Sequence, residues 1–216
     1  MTKAPSKTVL SFLRQEFPNA KCALNFHNDF ECLCAIVLSA QTTDAAVNEA
    51  TPQLFKSFPN PRAMSEAPLE AVEKILHSLG LFHSKAKNLI ALSVAIQENY
   101  GGTIPQDRTE LMRLPGVGKK TSGVFLAERY QVPAIPVDTH VSHVATRLGY
   151  ARKSDTPDVI EERLEKAFPQ SDWIFLHHAL IEFGRTTCRA RIPNCSSCGL
   201  APACPYFKKY FSTKGK

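Results

Sequence analysis

A chain of 216 residues, 44% of them hydrophobic, can bury one or two compact cores. No apolar run approaches a membrane span, and Met1 to Leu10 holds no apolar stretch of signal-peptide length, so a soluble, cytoplasmic protein with no membrane partner is expected. The formal net charge of +6 is by itself modest support for a nucleic-acid partner.

Taken in chain order, Val9, Leu10, Leu13 and Phe17 recur at helical spacing and predict a short amphipathic helix from Thr8 to Phe17. Phe30 to Ala40 is almost wholly apolar and reads as a buried central helix. Asp44 to Phe58 repeats Val47, Ala50, Leu54 and Phe55, then stops at Pro59-Asn60-Pro61. Pro68 suits a helix start and Gly80 a helix end, bracketing Val72, Ile75 and Leu76. Ser84 is a candidate cap for Lys85 to Asn99, which ends at Gly101-Gly102, and a further helix includes Arg108 to Arg113. Ser122 to Tyr130 reads as a helix, and Val132-Pro133-Ala134-Ile135-Pro136 as an extended linker. Asp138 or Thr139 then caps a helix to Leu148, and Pro157 to Phe168 and Asp172 to Phe183 supply two more. No segment alternates with period two for long, so the expected class is all-α, with a boundary at the linker.

Between two of these helices stands Leu114-Pro115-Gly116-Val117-Gly118-Lys119-Lys120-Thr121. Two glycines after a proline suit a tight turn and the close approach of another backbone. The free N–H groups of the turn and of the following helix would point one way and attract an anion, most commonly a phosphate. An ordinary hairpin with solvated lysines reads equally well from these eight residues. A nucleotide P-loop does not, because Arg113 stands where its first glycine belongs and Lys120 where its Ser or Thr belongs.

Seven cysteines divide unevenly. Cys188, Cys195, Cys198 and Cys204 follow C-x6-C-x2-C-x5-C within seventeen residues, while Cys22, Cys32 and Cys34 lie far upstream. An odd count without a signal segment argues against a disulfide framework. Four close thiolates suit zinc or an iron–sulfur cluster, and the single C-x2-C pair favours the cluster, since zinc usually takes two such knuckles. Around them the charge is lopsided: from Phe183 to Lys216 there is no acid, against Arg185, Arg189, Arg191, Lys208, Lys209, Lys214 and Lys216. Such a tail is an electrostatic footprint for a phosphate backbone, and its arginines would offset the negative charge of a thiolate-held cluster.

The glycine turn, followed by Val137-Asp138-Thr139-His140-Val141, resembles the helix-hairpin-helix DNA glycosylases of the endonuclease III family. The likeness runs from Ser39-Ala40-Gln41-Thr42-Thr43-Asp44 to the four cysteines, nearly the whole chain. It implies a bifunctional glycosylase and abasic-site lyase, a monomer that excises oxidised pyrimidines from duplex DNA in a bacterial nucleoid. It also implies a six-helix domain over 23–133 and a second domain of 1–22 with 134–216, with a DNA-binding cleft between them. On the same ground Lys120 would form a Schiff base with the deoxyribose, Asp138 would assist, and Cys188, Cys195, Cys198 and Cys204 would hold a 4Fe–4S cluster. Adenine-removing relatives lack a lysine at this position, so Lys120 points to the lyase. Gln41 and Leu81 match residues that fill the gap left by a flipped nucleotide, and Gly116, Gly118, Lys119, His140, Arg185, Arg189 and Arg191 would contact DNA. Phe82 departs from the family, many of whose members have Tyr there, so this chain lacks a hydroxyl at that position.

The chemistry is consistent with those roles. A lysine must be neutral to attack; Lys119 and a helix N-terminus favour that form, an anion at Asp138 opposes it, and the sequence leaves the balance open. The same anion would stabilise the positive charge that develops on a sugar losing its base. Three other readings remain: a non-enzymatic DNA-binding module with zinc in its tail, a metal hydrolase using Asp138, His140 and His143, and an iron–sulfur electron carrier.

Overall fold

The computed structural model describes residues 2–211, and among them every regular element is helical. Lys214 and Lys216 of the basic tail lie outside the described residues. The chain divides into two compact units: a discontinuous one, Met1–Cys22 with Pro133–Lys216, and a contiguous one, Ala23–Val132.

The discontinuous unit begins with α1 (Ser6–Glu16), which buries Val9 and Leu13. The contiguous unit is centred on α2 (Asp29–Leu38), whose residues from Phe30 to Leu38 are all buried, as its unbroken apolar run demands. Asn28 caps α2 by accepting from the Glu31 N–H, and the Glu31 carboxylate reaches back to the His27 N–H at 2.7 Å. α3 (Asp44–Ser57), capped by Thr43, turns Val47, Ala50 and Leu54 inward. At Pro59-Asn60-Pro61 the chain does more than stop: Asn60 caps α4 (Pro61–Ser65), with Pro61 in its first turn.

Two expected boundaries shift in the next stretch. α5 (Leu69–Leu76) ends four residues before Gly80, which sits in the following turn. α6 (Phe82–Tyr100) begins earlier than expected, so Ser84 lies inside its first turn; the residue at its start is Leu81, in the left-handed conformation. Gly101, also left-handed, ends it. α7 (Arg108–Leu111) is a single turn capped by Asp107, and α8 (Lys119–Tyr130) completes the unit against α2. Asp29 at the start of α2 accepts from Arg129 and Tyr130 at the end of α8, which fixes how the two helices lie.

The chain returns to the discontinuous unit with α9 (Thr139–Arg147), α10 (Pro157–Ala167), α11 (Trp173–Thr186) and the short α12 (Pro205–Tyr210), which the sequence pattern did not signal. Leu13 of α1, Val141 and Val144 of α9, Leu164 of α10 and Leu176 of α11 form its core, all fully buried. Phe183 lies among them with Phe12 and Phe17 at ring-centroid distances of 5.4 and 6.1 Å. The N-terminal segment is tied in by hydrogen bonds as well: the Ala4 N–H donates to the Leu148 carbonyl at 2.9 Å, and the Tyr150 hydroxyl donates to the Ala4 carbonyl at 2.7 Å. An N-terminal helix so held belongs to the core of residues more than a hundred positions later.

Candidate functional site

In the contiguous unit, α7 and α8 are joined by the turn from Met112 to Gly118. Gly116 takes φ 78°, a conformation other residues adopt only with strain, so the turn needs glycine there. Gly118 is extended and provides no side-chain cap for α8. Val117 and Leu114 pin the turn from beneath, being 5% and 2% exposed, and the Val117 N–H donates to the Leu114 carbonyl. Lys119 and Lys120 occupy the first turn of α8 and are both exposed. A helix start without a side-chain cap has the N–H groups and the dipole end that favour an anion.

Gln41 and Leu81 come together in the same unit. Both are exposed, and both take left-handed backbone, with φ 54° and 60°. The Gln41 carbonyl passes beside Gly80, 3.8 Å from where a Cβ would stand. Leu81 is 60% exposed, so it is no core residue. Phe82 packs against His83 with ring centroids 3.9 Å apart and planes inclined by 33°, and His83 Nδ1 lies 2.8 Å from the Glu73 carboxylate.

In the discontinuous unit, Asp138 caps α9, accepting from the Val141 N–H at 2.7 Å. His140 and His143, three apart on α9, do not converge on a shared metal position. His143 places its two ring nitrogens 2.8 Å from the Thr139 carbonyl and 2.7 Å from the Cys188 carbonyl. His140 packs on α11 at Gly184, where a Cβ would meet its own at 3.0 Å, and its Nδ1 is buried without a protein partner. This geometry disfavours the metal-hydrolase reading, because the lone pairs needed for a cation are not turned to a common point.

Cys188, Cys195, Cys198 and Cys204 line one cavity, walled by apolar side chains including Phe183 and Leu200. Burial pushes the thiols of Cys188, Cys195 and Cys198 up, and the Arg147 guanidinium pulls those of Cys188 and Cys195 partly back. Among the described residues, no three His, Cys, Asp or Glu are placed to hold a metal ion. Four thiols around one cavity are a donor set that an iron–sulfur cluster could use. Arg189 and Arg191 are exposed in the loop between the first two cysteines, and Arg185 is exposed near the end of α11.

Two residues, one in each unit, escaped the sequence reading. Arg147 holds the cysteine loop, donating to the carbonyls of Cys188, Arg189 and Ala190 at 3.0, 2.8 and 2.6 Å, and it stacks over Tyr206. Lys85, only 5% exposed, donates to the Thr42 hydroxyl. The one available signal for Arg147 was its place four residues after His143, on the same helix face. For Lys85 it was the inward register it shares with Ala86 and Leu89.

Residues 34–170 match the model of the HhH-GPD superfamily of base excision DNA repair proteins. The chain is 46% identical over 188 residues to endonuclease III of Bacillus subtilis, covering 87% of this chain and 86% of that one. It is 41% identical over 209 residues to endonuclease III of Escherichia coli K12, covering 97% and 99%. Among solved structures it is similar to a trapped endonuclease III–DNA covalent intermediate, with TM-score 0.89, 42% identity and coverage of 94% and 97%. A thermostable thymine-DNA glycosylase shares the fold at TM-score 0.85 and 22% identity, over 94% of this chain and 97% of that one.

Proposed function

Because this chain belongs to the HhH-GPD superfamily of base excision DNA repair proteins, we infer that it is a bifunctional DNA glycosylase and abasic-site lyase of the endonuclease III type. The observation that carries the chemistry is the exposed Lys120 amine in the first turn of α8, which has no side-chain cap and follows a turn with Gly116 at positive φ. Pure DNA binding needs no second lysine there, and it needs no aspartate capping α9. A relative of this chain forms a covalent intermediate with DNA, which an amine nucleophile accounts for.

In this reading the start of α8 binds a backbone phosphate and brings the deoxyribose to Lys120. The amine attacks the anomeric carbon, the bond to the base breaks, and the base leaves with the electron pair. The sugar ring opens to an imine on the lysine nitrogen. Loss of a proton from the neighbouring carbon then expels the 3′ phosphate, and water hydrolyses the imine to free the lysine. The Asp138 carboxylate, held by the Val141 N–H, stabilises the positive charge that builds on the sugar. The substrate is duplex DNA with oxidised pyrimidines or abasic sites, and the working form is a monomer.

Gln41 and Leu81 fill the space the extruded nucleotide leaves. Cys188, Cys195, Cys198 and Cys204 would hold a 4Fe–4S cluster whose contribution is to fix the loop, and Arg189 and Arg191 on that loop meet the phosphate backbone. Lys119, His140 and Arg185 add to the same contact with DNA. Borohydride reduction on an abasic duplex tests the enzymatic reading. A stable protein–DNA adduct is expected, and its absence in a preparation that binds the duplex would favour a binding module.

A further inference from the structure

Lys85 is a buried charge that the chemistry above does not use. Its backbone N–H donates to the Leu81 carbonyl at 3.0 Å, continuing α6 from the turn that carries Leu81. Its ammonium crosses to the other loop and donates to the Thr42 hydroxyl. There the Thr42 N–H donates to the Ser39 carbonyl at 3.2 Å, closing the turn that holds Gln41. One residue thus grips both segments whose exposed side chains sit on left-handed backbone. Such backbone is sparsely populated for residues other than glycine and persists only where its surroundings hold it.

A buried ammonium on a neutral hydroxyl is a poor device for stability. Burial lowers the pKa of Lys85, and an apolar side chain of similar volume would serve a core as well or better. What the ammonium supplies, and a methyl group cannot, is a directed bond between two loops. The sequence-distant partners, Lys85 and Thr42, lie 43 positions apart, so this bond sets loop against loop rather than shaping either one locally.

We propose that Lys85 is a positioning residue that, through the Thr42 hydroxyl, locks the Gln41 loop to the Leu81 turn so that both side chains enter the duplex together. The inference rests on the reading of Gln41 and Leu81 as the residues that fill the gap left by an extruded nucleotide. Insertion of two side chains at a fixed spacing gains from being set beforehand, because loops that must first be ordered spend binding energy on ordering.

The test uses the full-length protein and a duplex with 2-aminopurine beside an uncleavable abasic analogue, followed by stopped-flow fluorescence. Lys85→Met and Thr42→Val are each expected to slow the fluorescence rise by about tenfold or more, as misplacement of supporting groups typically does. Thr42→Ser, which keeps the hydroxyl, is expected to retain the wild-type rate. The melting midpoint of Lys85→Met should equal or exceed that of the wild type, and borohydride trapping on a single-stranded abasic oligonucleotide should be unchanged. Wild-type rates in both Lys85→Met and Thr42→Val would overturn the proposal. So would slowing in Lys85→Met that comes with a lowered melting midpoint and leaves Thr42→Val unaffected, since Lys85 would then be a plain structural residue. Gln41→Ala and Leu81→Ala separate this failure from that of the underlying reading. If neither slows the rise, the insertion role falls and the proposal with it; if they do and the Lys85 and Thr42 variants do not, only the positioning role is lost.

Discussion

Arg147 Nη1 donates to the Cys188 carbonyl at 3.0 Å and stands 3.5 Å from the Cys188 sulfur. With Arg189 and Ala190 also accepting, and Tyr206 beneath the guanidinium, one side chain of α9 fixes the start of the cysteine loop. Arg147→Met should destabilise the protein by on the order of 3 kcal/mol in urea unfolding, the scale for hydrogen bonds to a charged donor. It should also weaken duplex binding, because Arg189 and Arg191 lose their fixed loop. Arg147→Lys should recover less than half of the stability, since an ammonium cannot span three carbonyls as a planar fork does. Wild-type stability in Arg147→Met would contradict this account.

Lys120→Gln keeps length and hydrogen bonding but cannot form an imine, so borohydride trapping and strand cleavage should both vanish while binding largely survives. Lys119→Gln, changed at the neighbouring residue in the same turn, should still trap. Asp138→Asn should leave a residual rate, lower by about a hundredfold or more, because it removes charge stabilisation and not the nucleophile. Trapping lost in Lys119→Gln and kept in Lys120→Gln would reassign the nucleophile.

Purified protein should be brown, absorb broadly in the visible and carry about four irons per chain if the cysteines hold the cluster. Cys198→Ser should weaken DNA binding and stability together, with no selective loss of the chemical step. A colourless, zinc-loaded native preparation would overturn the cluster assignment.

DNA affinity should fall steeply with salt, since backbone phosphates supply most of it. Arg191→Ala should reduce the salt slope by about one and weaken binding to all sequences alike. An affinity independent of salt would remove the electrostatic footprint from the account.

Burial holds Lys85 below the ordinary lysine value near 10.5, so between that lowered value and 10.5 the unfolded chain binds more protons than the folded one. Stability must therefore rise with pH across this window, the destabilising effect being complete below it and gone above it. The melting midpoint of the wild type relative to Lys85→Met should rise as pH is raised from 7 toward 10.5, as followed by thermal unfolding of both proteins. A difference independent of pH would mean that the Lys85 ammonium is not disfavoured in the folded protein.

What the sequence determined by itself is what short-range chemistry decides. The apolar run of α2 could only be a buried helix, Asp138 was a readable cap, and the glycine at 116 marked a turn of positive φ. The spacing of the last four cysteines likewise suggested that they act together, and the four do line one cavity. Where local signals failed they were overridden: Gly80 and Ser84 look like a helix end and a cap, yet α5 stops early and α6 starts from a left-handed Leu81. The tertiary structure alone placed Gln41 beside Gly80, turned His143 from a candidate metal ligand to the Cys188 carbonyl, and gave Arg147 and Lys85 their work. These bonds join residues 41 to 45 positions apart. No preference of a few neighbouring residues encodes such a pairing; it exists only once packing of the whole core has brought the two segments within reach.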